Sequence, residues 1–160
     1  TKEESNEVTV KPLPYVAGII RAWLAEQKEF TDCLHGGKIT TRNLPDPLTK
    51  PHCLVAVTGH VGDDPLLHRV IVQVTPWAPE SQVSRLREDP DVTVWRAAAM
   101  AGELLGRAKN QVLDDTTAWS ASWMDGPVQL YDLKRGADRP LFYAPVRFQV
   151  HVRHRGFTRS

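Results

Sequence analysis

Six histidines, two cysteines and two pairs of adjacent aspartates are the residues in this chain whose types could do chemistry. Cys33-Leu34-His35 and His52-Cys53 could together offer four zinc ligands, but C-x-H with a separate H-C matches no common zinc spacing. The plainer reading is two buried thiols near unrelated loop histidines, and no metal or cofactor is expected. Asp63-Asp64 and Asp114-Asp115 could hold Mg²⁺ for phosphoryl chemistry. Each pair also lies beside a turn former or a helix end, where Asp is favoured for local reasons. No phosphate-binding glycine loop, nucleophile elbow or HExxH motif occurs. The sequence therefore offers nothing that requires an enzyme.

Two other sets of residues suit binding. Trp77, Trp119 and Trp123 fall at strand ends or beside turns, where aromatic side chains often anchor interfaces. Trp23 and Trp95 lie at helical core spacing instead. Residues 140–156 read PLFYAPVRFQVHVRHRG, with a period of two. One face carries Phe142, Ala144, Val146, Phe148, Val150 and Val152. The other carries Arg147, His151 and Arg153, with Arg155 beyond, and no acid. That basic face could meet solvent, a carboxylate on a neighbouring strand, another subunit or nucleic acid.

Charge sharpens the question. From Lys134 onward there are seven basic residues and one acid, a net of +6; the remainder, 13 basic and 18 acidic, is −5. The overall +1 argues against a general nucleic-acid binder. Opposite charge in two parts of one chain can be satisfied internally or head to tail between copies.

The elements that would position these residues follow from periodicity. Val16, Ile19, Ile20, Trp23 and Leu24 predict a helix over 14–28. Short strands are predicted at 39–43 and 53–59, joined by the proline-rich LPDPLTKP. GHVGDDP reads as a loop. A third strand follows with Val70, Val72 and Val74 on one face, closed by Pro76 and Pro79 around Trp77. Residues 81–91 read as a charged loop with at most a helical turn. A second helix has a narrow stripe of Trp95, Ala98, Ala99, Gly102, Leu105 and Ala108, with Asp91 or Thr93 at its start. A strand at TTAWSASWM, interrupted by a bulge or bend at Gly126-Pro127 and resuming as VQLYDL, forms a hairpin through KRGADR with the basic strand and completes the chain. The order α-β-β-β-α-β-β predicts an α+β domain: a mixed, mostly antiparallel sheet of about five strands with two helices on one face. Residues 1–13 read as a flexible arm, 14–155 as one domain and 156–160 as a tail. With 160 residues, 41% apolar and 24% charged, one globular domain is expected. No apolar run reaches the ~20 residues of a membrane span, and no signal peptide is visible at the polar N-terminus. Two cysteines make no disulfide framework, so a reducing compartment is the simpler expectation.

The order of these features resembles the tail terminators of long-tailed phages, also called tail completion or head-to-tail joining proteins, and most of all those of phages infecting actinobacteria. The features are a first helix ending in AWLAEQ, the TTRNLPDPLTKP segment, a strand running into a W-A-P corner, an Ala-rich helix and the closing GPVQLYDLKRGADRPLFYAPVRFQVHVR hairpin. They span roughly residues 14–155. The sequence departs from the pattern at SQVSRLREDPD, inserted between W-A-P and the second helix, and in its longer N-terminal arm. The resemblance implies a virion protein of the tail and neck, assembled in the host cytoplasm. It implies a hexameric ring that caps the tail tube, stops its polymerisation and docks on the head connector or stopper protein. DNA would pass through the ring without sequence-specific binding, and no membrane or enzymatic activity is implied. Within that ring the basic face would meet a neighbouring subunit or, less readily, line the DNA path. Rival readings are another neck component such as the head-closure protein, a nucleic-acid-binding module using the basic strand, and a metal-dependent hydrolase or nuclease using Asp63 and Asp64.

Overall fold

The computed structural model describes residues 8–64, 66–133 and 140–159, with backbone alone at Val8, Asp63, Asp64 and 157–159. The KRGADR turn and the first seven residues of the arm lie outside the described residues.

Helix α1 spans Val16–Ala25 and buries Val16, Ala17, Ile20 and Leu24. The single helix predicted over 14–28 is cut short: Gln27 is extended and a second helix, α2, runs Lys28–Cys33. Phe30, on α2, is fully buried in the same core.

The strands are β1 (Val8–Val10), β2 (Ile39–Thr40), β3 (His52–Asp64), β4 (Leu67–Pro79), β5 (Gln111–Val112), β6 (Thr117–Asp125), β7 (Leu130–Asp132), β8 (Leu141–Tyr143), β9 (Val146–His154) and β10 (Phe157–Arg159). Two further helices, α3 (Ser81–Ser84) and α4 (Pro90–Leu105), lie between β4 and β5. The main sheet has eight strands, in the order β2-β3-β4-β9-β6-β5, with β8 also on β4 and β7 on β8. β2 runs parallel to β3, and the other pairs are antiparallel. β1 and β10 form a separate two-stranded sheet.

The α+β class roughly fits, but five strands, two helices and the order α-β-β-β-α-β-β do not. Among the described residues there are four helices, and the main sheet alone has eight strands. Three local expectations are overturned as well. GHVGDDP is not a loop: β3 continues through it across a register shift between Val57 and Gly59, still paired with β4. Pro76 and Pro79 do not end β4, because they stand opposite Cys53 and Leu141 within the ladder. The basic strand is split at Ala144-Pro145, since Pro145 has no N–H to donate. Only its first part, β8, pairs with VQLYDL; β9 lies centrally between β4 and β6. Residues 8–10 of the arm form β1 on β10.

Helix α4 starts at Pro90, a favoured first position, rather than at Asp91 or Thr93. Its buried face is Thr93, Val94, Ala97, Ala98, Ala101, Gly102 and Leu105. The predicted stripe is therefore rotated, and Trp95 is 46% exposed instead of core. α1, α2 and α4 share one core with the inner sheet face, where Val70, Val72, Val74, Phe148 and Val150 are buried as the alternation predicts. Among the described residues, no helix is long and apolar enough to cross a membrane.

Candidate interaction surface

The strand alternation that buries one sheet face leaves the other without a helix over it. Along β9 the outward residues are Arg147, Gln149, His151 and Arg153. Across them stand Gln73, Ile71, Arg69 and Leu67 of β4. On the β6 side, Gln149 faces Ser122, His151 faces Ser120 and Arg153 faces Ala118.

Arg147 is satisfied within the sheet. Its Nε donates to Asp125 Oδ1 at 2.9 Å and a second N–H donates to Oδ2, a two-pronged pair between β9 and β6. These hydrogen bonds hold the Asp125 carboxyl below its ordinary range. One of the four sequence alternatives, a carboxylate on a neighbouring strand, thus describes Arg147. His151, Arg153 and Arg155 differ: they are exposed, and no side-chain hydrogen bond or ion pair holds them among the described residues.

Arg153 forms the ridge between two depressions. An open groove of about 660 Å³ is lined by Leu66, Leu67, Val112, Asp115, Arg153 and Arg155 among others. A smaller one of about 310 Å³ lies on the other side, against Ser120 and His151. Beneath the groove, His154 is buried and its Nδ1 lies 2.8 Å from Thr117 Oγ1. Asp114 is bound by its own turn: Thr116 N–H and Oγ1 donate to Oδ1 at 2.8 and 2.7 Å and hold the carboxyl below its usual range. That geometry serves the turn rather than a metal. The side chains of Asp63 and Asp64 lie outside the described residues.

The tryptophans separate into three situations. Trp119 is 4% exposed and meets Trp23 edge-on at 5.9 Å, so it is core and not a surface anchor. Trp77 is half-buried and stacks on Tyr143 with centroids 4.1 Å apart. Its indole N–H is buried and has no acceptor among the described residues. Trp123 is 40% exposed; its ring covers Gly102 of α4 and its N–H donates to Gly126 O at 3.0 Å.

The cysteines and their neighbouring histidines do not converge. Cys33 Sγ donates to Glu29 O, and burial pushes its thiol pKa up. Cys53 is fully buried, and its pKa is driven far up by desolvation. His52 pairs with Thr40 Oγ1 at 2.8 Å, and burial lowers its pKa. Among the described residues, no group of three or more His, Cys, Asp or Glu side chains is placed to hold a metal.

Sequence reasoning missed a polar junction at Glu88, inside the 81–91 insertion. Glu88 accepts hydrogen bonds from His35 Nε2 at 3.0 Å, Thr93 Oγ1 at 2.7 Å and Arg96 at 3.2 Å. It ties the end of α2 to the start of α4. No protein-family model matches the chain, and no curated protein matches it in sequence.

Proposed function

We propose that this protein is a ring-forming assembly protein of the phage tail terminator kind: it caps a tail tube, stops its polymerisation and joins the tail to the head connector. In this reading it works by binding copies of itself and its neighbours, without catalysis, in the neck of the virion. The observation that supports it is a two-sided distribution of charge. Among the described residues, His151, Arg153 and Arg155 are exposed and have no side-chain partner at the helix-free sheet face. Glu26 and Glu29 are exposed on the helix layer, at the α1–α2 corner, and likewise have no side-chain partner among the described residues. A surface and its complement on opposite layers of one molecule suit a heterologous, head-to-tail contact, which closes into a ring when the rotation allows. The half-exposed Trp77 and Trp123 are candidate contacts in the same assembly.

The test is native mass spectrometry of the purified protein at low micromolar concentration, alone and with purified tail tubes. A hexamer alone, or one formed only on tubes, is the expected result. A strict monomer that ignores tubes but binds duplex DNA, with affinity falling steeply as salt rises, would replace this reading with a nucleic-acid-binding one.

A further inference from the structure

The far end of the β3–β4 hairpin carries two imidazoles for which the assembly reading has no use. His60 stands opposite Val70 in β4, and His68 opposite Val152 in β9. Val70 and Val152 belong to the inner face, so both rings lie on that side, past the end of the core. His60 is exposed and His68 half-buried. His60 Nε2 and His68 Nδ1 are 2.9 Å apart, with ring centroids 5.0 Å apart and planes tilted by 48°. Gly62 borders both: a Cβ there would come within 3.0 Å of His68 Nδ1 and 3.7 Å of His60 Nε2. Glycine therefore leaves the space beside both nitrogens clear.

A neutral imidazole has one N–H and one bare nitrogen. In the hydrogen-bonded pair, one of the two facing nitrogens carries the hydrogen and the other accepts it. A metal bound to both would sit to one side of the line between the two nitrogens. With metal–nitrogen bonds of about 2.0–2.1 Å, two ligands on one ion lie about 2.9 Å apart at a right angle and about 3.3 Å apart at the tetrahedral angle. The ring centroids are then about 4.5–5.2 Å apart. The observed separations already fall in that range, so rotation of the rings is enough and the backbone need not move. We propose that His60 Nε2 and His68 Nδ1 form a two-imidazole chelate for a divalent transition metal, with water completing its shell. On binding, the ring that had donated moves its hydrogen to its other nitrogen through solvent, and both rings stay neutral. Imidazole nitrogens favour Cu²⁺ over Ni²⁺ and Zn²⁺.

The full-length protein, stripped with chelator, is titrated with CuCl₂, NiCl₂ and ZnCl₂ by calorimetry at about pH 7.5, where imidazole is largely neutral. One equivalent should bind, Cu²⁺ most tightly. His60→Ala and His68→Ala should each weaken binding at least tenfold, whereas His151→Ala, which removes an exposed histidine elsewhere, should leave it unchanged. Circular dichroism checks that each variant is folded. Absence of stoichiometric binding, or binding that survives either hairpin substitution, overturns the site. Equal losses in all three variants would mean scattered surface binding and overturn it as well.

Discussion

Glu88 shows what a single residue can hold together. Burial alone would raise its pKa, but hydrogen bonds from His35 and Thr93 and the charge of Arg96 outweigh it, so the carboxyl sits below its ordinary value. A carboxylate whose pKa is depressed in the folded state adds stability above its unfolded pKa and loses it as pH falls through the folded one. Glu88→Gln should therefore cost about 1–2 kcal/mol at neutral pH, in line with hydrogen bonds to a charged group. Thermal unfolding followed from pH 7 to pH 3 should show the gap between wild type and variant closing once pH drops below about 4.5. A gap that stays constant to the acid end would mean that shape, not charge, matters at this position. None of this was legible locally. His35 reads as a loop histidine beside Cys33, and its acceptor lies 53 positions away in a segment that resembles a charged loop. Arg147 is the opposite case, since same-sheet pairing was one of the few places a basic strand residue could go.

At the scale of elements, α4 and β6 meet through a glycine and an indole. A Cβ on Gly102 would come within 2.6 Å of the Trp123 ring. Replacing an interior helix glycine by alanine ordinarily gains about 1 kcal/mol. Here the overlap should reverse the sign: Gly102→Ala should destabilise by about 1–3 kcal/mol, as overpacking does. With Trp123→Ala already in place, the same change should become neutral or stabilising. Urea unfolding of both singles and the double would read the coupling, and simple additivity would show that the ring gives way at no cost. The small-residue character of this helix is plain in the sequence, yet its buried face is rotated, because Val94, Ala97 and Ala101 offer an alternative surface beside Trp95. Likewise the period of two in β9 reveals which residues are buried but not which strands flank them. Alternation reports a face; pairing with β4 and β6 is non-local and leaves no trace in spacing. Turn-forming residues misled for a related reason: Gly59 lies at a register shift inside a long hairpin instead of ending it.

At the scale of the molecule, the +6 C-terminal segment and the −5 remainder of the chain were legible from counting alone. The structure narrows which charges remain to be matched. Arg147 is taken by Asp125; among the described residues, Arg153 and Arg155 are exposed arginines without a side-chain partner at one surface, and Glu26 and Glu29 are exposed acids without one at another. If copies meet head to tail through these surfaces, Arg153→Glu with Arg155→Glu should weaken self-association, and so should Glu26→Lys with Glu29→Lys. Mixing the two double variants should restore it. In the mixture, each altered sheet face meets the altered corner of the other variant, and each native face meets a native corner. The restored ring must then alternate the two variants, which an even number of subunits permits and an odd number does not. Native mass spectrometry of the mixture would show equal numbers of each. A face-to-face, two-fold contact that leaves out the corner would let the Glu26→Lys, Glu29→Lys variant self-associate on its own. Loss of DNA binding by the arginine variant without rescue in the mixture would instead assign the basic face to nucleic acid. Added salt should weaken the exposed contact in every association experiment, since at 0.1 M the screening length is about 10 Å.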